Sequence, residues 1–266
     1  MKRVIRLTTA AAITIAALIL AVMPVEGQTP RLPDGKPNLN GIWQAMNTAN
    51  WDLLDHGAQP SLVVASGAIG AEPGGPGVVE GGTIPYRPEA LAQKKQNYEN
   101  RATADPEVKC YLPGVPRATY MPYPFQIFQS TTAMSIAYEY DNAYRNIYLK
   151  DPGPAPADSW MGQSVGHWEG NTLVVDVTGL FEGSWLDRAG DFHSDALHVI
   201  ERYTLTGPNT INYEATIDDN KVFTKPWKIS MPLYRHIEKD ARLVDFKCVE
   251  FVEQMLYGQF TKKKGK

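Results

Sequence analysis

From Val108 onward the chain alternates apolar and polar residues with a period of two, and this pattern restricts the fold more than any other feature. In Thr210–Asp218, Ile211, Tyr213, Ala215 and Ile217 alternate with Asn212, Glu214, Thr216 and Asp218. Successive strand side chains point to opposite faces, so each such segment offers one face to a core and one to water. Similar segments lie at 125–130, 134–140, 144–149, 162–168, 173–177, 197–206, 225–231, 233–239 and 243–252. That makes about nine or ten strands. Short turns separate them: Asp141-Asn142, Gly170-Asn171 between Glu169 and Thr172, and Gly207-Pro208-Asn209. Short turns join antiparallel neighbours, and a long antiparallel meander closes most readily into a barrel. The expected fold is mainly β, an antiparallel meander closed as a β-barrel. The proline-rich stretch 151–158, DPGPAPAD, reads as a loop crossing between strands.

Two further segments decorate this frame. Residues 88–101, PEALAQKKQNYENR, read as one short helix. Pro88 suits its first turn, Glu89 favours its positive end, and Ala90, Leu91, Lys94, Tyr98 and Arg101 fall near one face. Residues 57–85 form a long Gly/Pro-rich loop with Gly74-Gly75-Pro76-Gly77 and Gly81-Gly82. A loop of this length inside a domain is usually a lid, a binding loop or disordered. Its glycine spacing fits no nucleotide-binding fingerprint. Gly41-Ile42-Trp43 matches a lipocalin-type opening, in which the tryptophan packs across one end of a barrel.

The first 27 residues read as a signal peptide. Lys2, Arg3 and Arg6 precede an apolar run at 8–23, and Val25 and Gly27 stand at the −3 and −1 positions of a cleavage site. A run of ~16 residues ending at Pro24 is short for a retained anchor, which needs about 20. No later stretch is apolar enough to span a bilayer. Cleavage leaves residues 28–266, read as one β-barrel domain in a periplasmic or secreted location. It also leaves 23 basic against 28 acidic residues, a balance that argues against a nucleic-acid partner. The Lys262-Lys263-Lys264 tail reads as a solvated end. Cys110 and Cys248 either pair in an oxidising compartment or remain two buried thiols. Pairing would close a loop of about 137 residues, for which the entropy model gives on the order of 4–5 kcal/mol.

Reactive side chains concentrate between Trp160 and Tyr203. Histidine titrates near neutral pH, and a neighbouring carboxylate can fix its tautomer. His193, Asp195 and His198 fall within six residues, where a long loop meets a strand. With His167 on the preceding hairpin, and Asp187 and Arg188 on the loop, they form the candidate catalytic set. Strand parity separates two groups: His198, Ile200 and Arg202 share one face, while Val199, Glu201 and Tyr203 share the other. Only one group can face the interior. Trp160, Trp185, Tyr123, Tyr138 and Arg202 are the candidate ligand-binding residues. His167, His193, Asp195 and His198 could supply metal ligands, but no metal-binding spacing supports them, and neither a metal nor a cofactor is expected. Ser164 lies in Gly162-Gln163-Ser164-Val165-Gly166, which matches the G-x-S-x-G string but lacks its strand–turn–helix setting.

Four segments resemble an uncharacterised family of secreted bacterial proteins: RLPDGKPNLNGIW (31–43), KCYLPGVPR (109–117), SVGHWEGNTLVVDVTG (164–179) and FHSDALHVIERY (192–203). The resemblance implies a secreted protein with a calycin-like barrel, and supplies no reaction. Three functions fit these observations. The first is a cofactor-independent lyase, hydratase, isomerase or cyclase acting on a small apolar or aromatic molecule by acid–base chemistry. The second is a lipocalin-type binding protein for a small hydrophobic or aromatic ligand, without turnover. The third is an envelope-associated structural protein that uses the glycine-rich loop as its contact surface.

Overall fold

The structure, a computed structural model, describes residues 29–261. The expected signal peptide and the lysine tail after Thr261 lie outside the described residues. Nine strands close into a barrel in the order β1-β11-β10-β9-β8-β7-β6-β5-β4. They are β1 (Gly41–Ala45), β4 (Phe125–Gln129), β5 (Met134–Tyr138), β6 (Tyr144–Tyr148), β7 (Gln163–Glu169), β8 (Thr172–Thr178), β9 (His198–Gly207), β10 (Thr210–Asp218) and β11 (Trp227–Arg235). Two-residue strands β2 (Gln59–Pro60) and β3 (Ala71–Glu72) pair separately within the glycine-rich segment.

Alternation does place the core. Ile211, Tyr213, Ala215 and Ile217 of β10 all point inward and are fully buried. Trp43 closes one end, donating its Nε1–H to the Leu39 carbonyl, with the Arg235 guanidinium 4.2 Å above its ring. The β7–β8 hairpin turns at Gly170, whose φ of 60° is cheap only for glycine.

The barrel departs from a pure antiparallel meander at one seam. β6 and β7 run parallel, because the connection through 151–158 crosses before β7 begins. The expected strands at 225–231 and 233–239 are one strand, β11, running through Pro232. On that side of β11, β1 pairs only with Leu233, Tyr234 and Arg235, while Ser230 donates its N–H to Val78 of the long loop. Pro232 therefore faces an open edge between these partners, where its missing N–H is not needed. The expected strand at 243–252 is not one. This segment lies outside the barrel, tied down by the Cys110–Cys248 disulfide, and leads into a short helix, α3 (Val252–Tyr257).

The long helix, α1 (Pro88–Ala104), runs three residues beyond the expected end. Its buried residues are Ala90 and Asn97, while Leu91 faces solvent. The reason is that α1 packs on a polar loop: Asn97 donates to the Gly190 carbonyl, and a Cβ at Gly190 would lie 2.8 Å from the Asn97 Cβ. A four-residue helix, α2 (Arg117–Tyr120), is buried throughout. The glycine-rich segment is packed rather than free: Val63, Val79 and Ile84 are buried, and Val79 bridges to Ile229 of β11. Among the described residues, no helix is long and apolar enough to cross a membrane.

Candidate functional site

Parity on β9 puts Val199, Glu201 and Tyr203 inside the barrel, and leaves His198, Ile200 and Arg202 on its outer wall. A buried carboxylate needs compensation. Glu201 receives it from Arg145 of β6, whose Nη2 donates to Oε2. The Tyr203 and Tyr213 hydroxyls both donate to Oε1, at 2.9 and 2.8 Å. Burial pushes both phenols well above their usual range, so they remain donors. Burial opposes the charge on Arg145, but Glu201 outweighs it and holds the guanidinium protonated. The ladder row through Glu201 runs from Gly166 through Val175 to Ala215, and the missing Cβ of Gly166 makes room for Ile147.

Not every polar atom in this interior is satisfied. Among the described residues, Arg145 Nε and Nη1, Ser164 Oγ, the Tyr138 hydroxyl and Thr119 Oγ1 are buried with no well-formed hydrogen bond, although Tyr138 lies close enough to interact with both Thr119 and Arg145. Such groups are rare in folded proteins, and each calls for a physical account.

The backbone ladder beside Arg145 is incomplete, although its side chain is buried. β6 and β7 share only two residue pairs, Ile147–Ser164 and Tyr148–Val165, so Tyr144, Arg145 and Asn146 have no partner on β7. A groove of about 490 Å³ fills the gap. Leu112, Tyr144, Tyr148, Trp160 and Met161 supply its apolar and aromatic surface, and Arg145 and Ser164 belong to its lining. Trp160 is held by Tyr111 and Phe181, with ring centroids 5.0 and 4.9 Å away.

The expected catalytic residues are not brought together. His193 is buried, its Nδ1–H donating to the Ser194 carbonyl and its Nε2 accepting from the Ser184 hydroxyl at 2.8 Å. Burial pushes its ring below the usual histidine range, so it is neutral. Asp195 is exposed and pairs with Lys221. His198 sits on the outer wall and pairs with Asp176. His167 is exposed beside Glu169, which also takes Arg202. None of these lines the groove.

The two loop residues serve elsewhere. Arg188 lies over the Trp51 ring and binds Glu107 through Nε at 2.8 Å and through Nη2. Burial opposes ionisation of Glu107, but Arg188 and Arg117 outweigh it and hold the carboxyl at about 2. Asp187 is fully buried, accepting from the Leu53 and Asp191 amides. Carboxylate oxygens of Asp52, Asp187 and Asp191 lie within 4.8 Å of one another. Burial, and then the charge of Asp191, push Asp187 well above the carboxylate range. Lys94 and the Tyr86 hydroxyl compensate Asp191, at 3.1 and 2.6 Å.

Of the expected ligand-binding residues, Trp160 lines the groove and Tyr138 lies in the barrel interior. Trp185 is buried beside Phe192. Tyr123 packs against Tyr140 in a tilted contact and against Phe246 edge-on, away from the groove, and Arg202 is outside the barrel. Sequence reasoning passed over Arg145, although a signal was present. Arg145 shares parity with Ile147, so the pattern that buries the isoleucine buries the arginine too. Ser164 stands out in the sequence only through the G-x-S-x-G string.

No protein-family model matches the chain, and neither a curated protein nor a solved structure matches it significantly.

Proposed function

We propose that this protein binds a small, largely apolar or aromatic molecule in the groove at the β6–β7 seam, without turning it over. One observation carries the reading. Aromatic and aliphatic side chains line a concavity of about 490 Å³, and Asn146, Ser159 and Gln163 are among its polar lining residues. Apolar walls with a few convergent polar groups are the usual make-up of a small-molecule site. The acid–base alternative has less support, because His193 Nε2 is taken up by Ser184 and His198 faces outward with Asp176. A periplasmic or secreted location goes with this reading, since the Cys110–Cys248 bond suits an oxidising compartment.

The test is calorimetric titration of the purified protein with a panel of small aromatic compounds, followed by mass spectrometry of the recovered ligand. Binding that weakens at least ten-fold in Trp160→Ala and Tyr148→Ala, with the ligand recovered unchanged, is the expected result. Binding indifferent to both substitutions would remove the groove from consideration. A chemically altered ligand would return the protein to the enzymes.

A further inference from the structure

We infer that the molecule held in the groove is a short extended peptide, which pairs through its backbone with the free edge of β6 at Tyr144 and Asn146. The inference rests on the binding reading above and adds the chemical class of the ligand.

Three observations converge on this edge. The first is the direction of its backbone groups. Tyr138 N–H donates to the Ala143 carbonyl, and hydrogen-bonded positions alternate along an antiparallel ladder. Arg145 and Ile147 therefore bond to β5, while Tyr144, Asn146 and Tyr148 turn their N–H and C=O groups toward the seam. The parallel pairing of Ile147 with Ser164 uses the Asn146 carbonyl and the Tyr148 N–H. The Tyr144 N–H, the Tyr144 carbonyl and the Asn146 N–H are left without a partner among the described residues. The second observation is why no strand covers them. The chain entering β7 is held on its other side: Ser159 donates to the Gly179 carbonyl, accepts from the Phe181 N–H and bridges to Leu180. The third is the floor of the groove. The side chains of Arg145 and Ser164 are buried in the barrel, yet both residues line the groove, so it is their backbone that the groove meets.

The chemistry of these groups selects the partner. Donors and an acceptor spaced along a strand match another peptide backbone, which carries both at the same spacing. Laid in either direction, a pairing segment meets the three groups with three consecutive residues. Main-chain bonds of this kind give affinity, and pockets for alternate side chains give specificity. Tyr144 and Tyr148 are exposed on the outer face of β6, and with Trp160 they offer aromatic surface to the outward side chains of the peptide. Native sheets usually blunt a free edge with charge or proline. The outward residues here, Tyr144, Asn146 and Tyr148, are neither charged nor proline, so the edge stays fit for pairing. The short free stretch and a volume of about 490 Å³ suit a free peptide of a few residues.

The inference is tested with acetyl-Phe-Ala-Phe-amide, titrated into the purified protein by calorimetry beside two comparators. One is its ester analogue, in which oxygen replaces each N–H between residues, and the other is 2-phenylethanol. The peptide should bind at least ten-fold tighter than the ester analogue. Hydrogen exchange at the Tyr144 and Asn146 amides should slow at least ten-fold with the peptide bound, and should respond less to 2-phenylethanol. Asn146→Pro removes one donor where an edge strand tolerates proline, and should weaken the peptide at least three-fold while affecting 2-phenylethanol less. Equal binding of peptide and ester would overturn this inference and leave the groove reading standing. So would bound peptide that leaves exchange at Tyr144 and Asn146 unchanged, or a peptide that fails to bind while other aromatic compounds do. If neither the peptide nor any aromatic compound binds, the groove reading itself falls. The ligand comparison and the exchange rates on the unaltered protein decide the matter even if the proline variant fails to fold.

Discussion

Arg145 of β6 and Glu201 of β9 form a buried ion pair across the barrel interior, although 56 residues separate them in the chain. Removing one partner from such a pair leaves an uncompensated charge, whereas replacing both with apolar groups is often neutral. Glu201→Gln should therefore cost about 3–5 kcal/mol. Arg145→Met combined with Glu201→Leu should recover only part of that loss, because the buried Tyr203 and Tyr213 hydroxyls then lose their acceptor. Urea denaturation midpoints of the three proteins check this. A single variant as stable as the parent would mean that the pair does not hold the barrel.

His193 should make the fold sensitive to mild acid. Its folded value lies below the ordinary histidine value of about 6.5, so the unfolded chain binds the proton more readily. The stability linked to this ring is complete above about pH 6.5 and is lost as the pH falls through the lowered value. Stability measured by urea between pH 7 and pH 5 should decline in the parent, and His193→Gln should flatten that decline. Parallel curves would assign the acid response to other groups.

Asp187 should act in the opposite direction. Burial raises its carboxyl well above the ordinary range, so the folded state holds the proton more tightly than the unfolded chain. Its contribution is complete below about pH 4 and is lost as the pH rises through the raised value. Asp187→Asn keeps one acceptor and supplies a fixed donor toward Asp191. It forfeits one of two backbone bonds at a cost of about 1 kcal/mol, and should show a weaker fall in stability toward alkaline pH than the parent. A variant whose stability falls as steeply as the parent's would mean that Asp187 is not the group that titrates.

The Cys110–Cys248 bond should matter most for the segment after β11. That segment has no ladder to the barrel, and it returns to the residues near Cys110 by the disulfide and by bonds such as Phe251 N–H to the Val108 carbonyl. Reduction should destabilise the protein by up to about 4–5 kcal/mol on the loop-entropy model. Limited proteolysis should then cut first within 237–251. Cleavage that begins in the barrel strands under reducing conditions would contradict this.

How far the sequence reached can be judged strand by strand. Period-two alternation identified the inward residues of β10 and the two faces of β9, because local parity carries that information. It left open which face of β9 was interior, and the answer came from a residue far away. Arg145 makes an interior Glu201 affordable, and no local pattern links positions 145 and 201. The parallel seam was equally invisible, since the strands at 144–149 and 163–169 look alike whichever way they pair. The histidines drew attention through their residue type. Their partners Ser184, Asp176 and Glu169 are brought to them by loop and ladder geometry, and these partners use up the atoms that catalysis would need. At 243–252 apolar residues alternate well enough to suggest a strand, but the barrel closes between β11 and β1 without it.

The ladders around the barrel differ in length. Nine residue pairs join β9 to β10 and eight join β10 to β11, while β6 and β7 share two and β1 has three on each side. Mechanically, this divides the cylinder into a stiff slab, β7 to β11, and a three-strand leaf, β4 to β6, hung from β1 like a door. The two pairs at the seam are its latch. Breathing of the native state should therefore begin with the leaf swinging out, and backbone amides of β6 should exchange with solvent before those of β9 and β10. A ligand seated beside the latch would fasten leaf to slab. Its affinity would then be readable, without any assay of activity, as slower hydrogen exchange in β6 and a higher melting temperature.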